Sequence, residues 1–224
     1  MTTKLDNIPF LDLGVRFDSE RMKSEIDSLS EFKSYKSLYT NDDFAGWTGI
    51  SLTSQDGNQY SGLSEERTSV RVYTTEAGEK CSYILECIKS ISPLTIDWLK
   101  IRVMKLGSSQ SIKWHSHSDH GQQKNIITLQ LPVTMPRDFI YAITPRWNIS
   151  VIENKSVLKN PYLVYTTKLN PGRVSFFNSY HFHNVFNYSN EDRYTVMFYG
   201  TTSDEVLSKY INESLDNYTG PYID

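Results

Sequence analysis

The chain has 224 residues, a net charge of −3, 38% hydrophobic and 22% charged residues, and 13% aromatics. That balance is ordinary for a soluble globular protein. The absence of a clustered basic run speaks against a nucleic-acid binder. No apolar stretch approaches the ~18 residues of a membrane-spanning helix, and the opening segment MTTKLDNIPFLDLGVRF lacks the charged-then-apolar pattern of a secretory signal. A cytoplasmic location is therefore expected, with no membrane partner. The two cysteines, Cys81 and Cys87, are expected to stay reduced there.

Only three alanines occur, Ala45, Ala77 and Ala142, against 15 tyrosines and 10 phenylalanines. This bias favours strands over helices. In chain order, residues 17–33 read as a helix, with Met22, Ile26 and Leu29 at helical spacing and Asp18 or Ser19 as cap. Residues 34–79 are polar and turn-rich, with a short strand at 46–52. Residues 80–92 read as a second helix, with Ile84, Leu85 and Ile88 inward and Pro93 just past its end.

From residue 98 the pattern changes. Segment 98–106 alternates, with Ile101 and Val103 on one face and Arg102 and Met104 on the other. Further strands are predicted at 125–133, 138–145, 147–153, 162–169, 173–179 and 193–200, each short, β-branched or aromatic, and bounded by Gly, Pro or Asn. A last helix is predicted at 202–216, capped by Ser203 or Asp204. The expected fold is mainly β: a jelly roll of the double-stranded β-helix or cupin-like kind, with flanking N- and C-terminal helices. One domain over 1–224 is expected, with an N-terminal helical and loop part (1–95) and a barrel core at about 96–200.

All five histidines fall in two clusters, WHSHSDHG (114–121) and SYHFHNVFN (179–187). Residues i and i+2 of an extended chain share a face. His115, His117 and Asp119 would thus point one way, and His117-Ser118-Asp119 forms an H-x-D pair. His183, arriving from a distant strand, would complete two imidazoles and a carboxylate around one metal. That set leaves coordination positions open and suits non-haem Fe(II). Arg193 opens the strand expected to lie beside that of His183, where it can clamp a carboxylate. His120 and His181 read as bystanders, and Asp192 as a solvated turn residue. Two other readings remain: a cupin-type metalloenzyme using His115, His117 and His183, and a non-enzymatic jelly roll whose histidines bind nothing.

Several stretches carry a resemblance: GWTGISL, IRVMKLGSSQSIKWHSHSD, LQLPVTMPRDFIYAI and, most strongly, LNPGRVSFFNSYHFHNVFNYSNEDRYTVMFYG. Together they resemble Fe(II)/2-oxoglutarate-dependent dioxygenases of the aspartyl/asparaginyl β-hydroxylase branch, related to proline hydroxylases. The resemblance implies Fe(II) on His117, Asp119 and His183, and 2-oxoglutarate with its far carboxylate on Arg193. Thr128 and Gln130 fall on the strand that helps hold this cosubstrate. It also implies O2 and an amino-acid or peptidyl substrate. Aligned from Ser-Ile-Lys, the first iron histidine falls on His115; aligned back from LQLPV, it falls on His117.

Overall fold

The computed structural model describes residues 5–29, 31–34, 46–61, 71–117, 125–152 and 155–223. Two antiparallel sheets hold most of the strands. The larger runs, in spatial order, β1 (Phe10–Arg16), β13 (Arg173–Phe177), β8 (Ile126–Pro132), β15 (Arg193–Thr201), β6 (Ile101–Leu106), β3 (Trp47–Ser51) and β2 (Lys33–Ser34). The smaller runs β12 (Tyr165–Thr167), β9 (Phe139–Thr144), β14 (Phe182–Asn187) and β7 (Ser111–His115). Two further pairs, β4 (Thr53–Ser54) with β5 (Tyr73–Thr74) and β10 (Ile149–Ile152) with β11 (Lys155–Leu158), stand apart.

From residue 101 the chain moves back and forth between the sheets. β6, β8, β13 and β15 fall in the larger one; β7, β9, β12 and β14 in the smaller. This winding is a double-stranded β-helix, the fold class expected from the strand pattern. The α-helices among the described residues are α1 (Ser19–Asp27), α2 (Glu76–Lys80), α3 (Ser82–Ile91), α4 (Pro93–Trp98) and α5 (Glu205–Asp216). None is long and apolar enough to cross a membrane.

Alternation along the strands builds two cores. Ile101, Val103, Leu129, Leu131, Val174, Phe176, Val196 and Phe198 point out of the larger sheet and pack with Met22, Ile26, Ile84, Ile88, Leu207 and Ile211 from the helices. Each such side chain, fully buried, contributes roughly 1.5–3 kcal/mol. The second core lies between the sheets and joins Leu106, Ile112, Phe139, Tyr141, Phe177 and Val185.

Several boundaries differ from the sequence expectations. The first helix stops at Asp27, where Ser28 turns back to bond Glu25 O at 2.6 Å, instead of running to residue 33. The second is α3, Ser82–Ile91, close to the expected 80–92, with a short helix on each side, α2 and α4. Pro93 stands just past the end of α3, as expected, and also opens α4, because a proline at the first helical position gives up only an N–H that the helix does not use. Trp98 therefore ends a helix, and β6 begins at Ile101. α5 starts at Glu205 with Asp204 as cap, accepting from Val206 N and Leu207 N. The N-terminal part is not only helix and loop: FLDLGVR alternates buried Leu11 and Leu13 with outward Asp12 and Gly14, and adds β1 to the larger sheet beside β13.

β14 and β15 are not neighbours, contrary to expectation. β14 pairs with β7 and β9, and β15 with β6 and β8. Residues 188–192 carry the chain from one sheet to the other, and Asn187 organises that crossing. Its Nδ2 donates to Leu106 O (3.3 Å), Gly107 O (3.0 Å) and Glu191 O (2.8 Å), and its Oδ1 accepts from Ser189 Oγ at 2.6 Å. Asp192 is tied down as well, by Lys105 Nζ at 2.6 Å and Ser108 N at 3.1 Å. At the turn before β13, Gly172 has φ +77°, and a Cβ there would meet Phe17 O at 2.3 Å.

Removing the Asn187 amide strands several buried carbonyls at once. Asn187→Ala is expected to lower stability by about 2–4 kcal/mol, read as an earlier denaturation midpoint with an unchanged slope.

Candidate metal and anion site

The β-helix has a turn end, closed by the 107–110 and 188–192 segments, and an opposite end where β7 finishes and β14 begins. His115 is the last residue of β7 and pairs in register with His183 of β14. Their rings lie 4.1 Å apart between centroids. His117, two residues on, is drawn in by its backbone N–H, which donates to Ser179 O at 3.0 Å. Its ring lies 5.1 Å from that of His183 and 5.2 Å from that of His115. One ring nitrogen of each histidine falls within 4.8 Å of the others.

The backbone fixes the tautomers of two of them. His115 Nδ1 bonds Lys113 O at 2.9 Å, and His183 Nδ1 bonds His181 O at 3.0 Å. A carbonyl only accepts, so each Nδ1 carries the proton and each Nε2 presents a lone pair. Metal-ligating histidines are held in this way. His183 is buried, with the edge of the Phe177 ring against it at 4.8 Å; His115 and His117 are partly exposed. The three imidazoles can hold a divalent cation and leave positions for other ligands. Asp119 and His120 lie outside the described residues. His181 turns away to bond Asp6 O at 3.2 Å, and burial lowers its pKa.

The same cavity reaches to Thr128, Gln130 and Arg193, so the structure brings together all the described residues that the sequence singled out. Thr128 Oγ1 lies 3.0 Å from Ser179 Oγ. Deeper, Arg193 is 2% exposed. Its Nη2 donates to Gln130 Oε1 at 3.2 Å, and its guanidinium lies 4.8 Å from the Phe139 ring centroid and 5.0 Å from that of Tyr141. Its Nε is buried with no hydrogen-bond partner, and among the described residues no carboxylate pairs with it. Burial pushes the guanidinium from 12.5 down to about 9, so it remains a cation at neutral pH. Among the described residues, then, the cavity has an imidazole cluster at one end and a buried, uncompensated cation at the other. The wall between is largely apolar, with Ile112, Phe177, Val185 and Met197.

Sequence reasoning missed Tyr141, whose hydroxyl donates to Gln130 Oε1, and the lining residues Trp47, Ser179 and Tyr199. Alternation within 138–145 already puts Tyr141 on the face of Phe139. What hid it is that an aromatic in a β-strand reads as core.

No family model and no curated protein matches the chain. Solved structures do match. A 2OG-Fe(II) oxygenase family oxidoreductase from Burkholderia pseudomallei superposes with TM-score 0.56 at 10% identity, over 89% of this chain and 87% of that one. The chain has the fold of these oxygenases. The non-haem α-ketoglutarate-dependent epimerase SnoN from nogalamycin biosynthesis gives 0.51 at 10% identity, covering 90% and 82%. HygX from Streptomyces hygroscopicus, solved with nickel and 2-oxoglutarate bound, gives 0.50 at 12% identity, covering 88% and 85%. The resemblance seen in the sequence thus extends to the fold of this superfamily, at identities that speak for the fold alone.

Single substitutions His115→Ala, His117→Ala and His183→Ala are each expected to cut Co(II) affinity by more than about a hundredfold, since changes one shell further out already cost 10–100-fold. The visible absorbance of a Co(II) titration measures this. Wild-type affinity in one variant would remove that residue from the ligand set.

Proposed function

We propose that the chain is an Fe(II)- and 2-oxoglutarate-dependent oxygenase. The observation that carries this reading is the buried Arg193 guanidinium in the same cavity as the three imidazoles. A buried cation without a carboxylate is costly, and an anionic guest that also reaches the metal would offset that cost. 2-Oxoglutarate has the required shape: a chelating 2-oxo acid at one end and a second carboxylate at the other. His115, His117 and His183 would hold Fe(II), with Asp119 as a further candidate carboxylate ligand. Thr128 and Gln130 would line the cosubstrate's path to Arg193.

Bound together, Fe(II) and 2-oxoglutarate supply oxidation of an unactivated C–H bond by O2, coupled to loss of CO2 and formation of succinate. The chain's part is positional. The backbone carbonyls of Lys113 and His181 orient two imidazoles, Ser179 holds the His117 loop, and the apolar wall keeps water from the cosubstrate's chain. We propose an amino-acid side chain, free or within a peptide, as the substrate, on the resemblance to the aspartyl/asparaginyl β-hydroxylase branch. We also propose that 1–224 forms one domain.

The second reading is a cupin-type metal centre without 2-oxoglutarate, favoured by the three-histidine grouping itself. The two are separated by anaerobic titration with Fe(II) and then 2-oxoglutarate. The oxygenase reading expects the weak visible band of a chelated 2-oxo acid on Fe(II), lost in His183→Ala. Arg193→Leu is expected to keep iron but weaken 2-oxoglutarate by at least about a hundredfold, the loss of a buried charge-assisted pair. Iron binding without the band in wild type would leave the cupin reading.

A further inference from the structure

The floor of the cavity holds a mismatch between donors and acceptors. Gln130 Oε1 receives the Tyr141 hydroxyl and Arg193 Nη2 together. Arg193 Nε, also buried, has no partner at all. Two donors therefore share one neutral carbonyl, and a third, Arg193 Nε, is left without an acceptor. The Arg193–Gln130 contact, at 3.2 Å, lies at the long end of the range for an N–H···O bond. A carboxylate has the same planar shape as the Gln130 amide but carries a full charge and about four acceptor sites.

We propose that Gln130 is a built-in placeholder for an anion. Its side-chain carbonyl occupies the position between Tyr141 and Arg193 that a carboxylate oxygen of the guest takes on binding, and Tyr141 is the second donor to that carboxylate. This rests on the oxygenase reading of the site and adds to it a selection rule. Binding requires the Gln130 carbonyl to give up both donors, and only a guest with a carboxylate at its far end returns them. A 2-oxo acid without that group leaves Gln130 in place and receives no help from Tyr141. The side chain at 130 thus sets a threshold for entry as well as the chemistry of the guest.

The test is calorimetric binding and thermal shift on Mn(II)-loaded protein, with 2-oxoglutarate and pyruvate as probes. In wild type, 2-oxoglutarate is expected to bind tighter than pyruvate and to raise the melting temperature. Tyr141→Phe is expected to weaken 2-oxoglutarate about tenfold, the loss of one hydrogen bond to a charged group, and to leave pyruvate unchanged. Gln130→Glu supplies the carboxylate from within. It is expected to melt at or above the wild-type temperature without ligand and to lose at least about a hundredfold in 2-oxoglutarate affinity. Gln130→Ala is expected to melt lower when empty, yet to gain a larger shift from 2-oxoglutarate than wild type does. Equal weakening of both probes in Tyr141→Phe, or near-wild-type 2-oxoglutarate binding by a folded Gln130→Glu, would overturn the placeholder while leaving the oxygenase reading intact. Absence of 2-oxoglutarate binding by wild type would overturn both.

Discussion

A guanidinium buried at the bottom of an apolar barrel is the constraint around which this molecule is arranged. Arg193 is the first residue of β15, at the turn end, and its side chain lies between the sheets against Phe139 and Tyr141. To put it there, the chain must leave the smaller sheet after His183 and enter the larger one within a few residues. Asn187 and Asp192 hold that crossing by bonding it to the end of β6 and the turn after it. The same short segment therefore sets two things at once: the imidazole at one end of the cavity and the cation at the other.

Polar residues on the inner face of the larger sheet follow from this. Thr128, Gln130 and Arg193 alternate with residues that serve the outer core, so each strand buries apolar side chains under the helices and presents polar ones to the cavity. The two faces have different tasks. The outer one supplies cohesion by hydrophobic burial, and the inner one accepts an unfavourable electrostatic arrangement that a guest can relieve.

Much of this was legible in the sequence. Period-two alternation located most of the strands of the β-helix, and the clustering of five histidines into two short segments pointed to a shared site. Local signals overran the first helix, because Leu29 continues the helical spacing of Met22 and Ile26 past the Ser28 cap. β1 escaped notice although Leu11, Leu13 and Val15 alternate with outward Asp12, Gly14 and Arg16. That β14 and β15 are in different sheets depends on the geometry of a five-residue turn, and spacing alone does not encode it. The choice between His115 and His117 could not be made from either end of the motif. In the fold the two stand together with His183, since β7 ends just where the second must turn inward. Tyr141 was hidden among aromatics that genuinely are core.

The His115–His183 pairing has a bearing on how the barrel is held together. These residues are far apart in the chain and face each other only because β7 and β14 are in one particular register. A slip by a single residue would turn every side chain of β14 to the opposite face, carrying His183 out of the cavity. A cation shared by the two strands would bind only the correctly aligned form, and so would act as a clamp on strand alignment, closing a long stretch of chain whose ordering entropy is otherwise met by sheet contacts alone. With a metal bound, the histidines would form a checkpoint on assembly: a barrel with misaligned strands could not be charged with it.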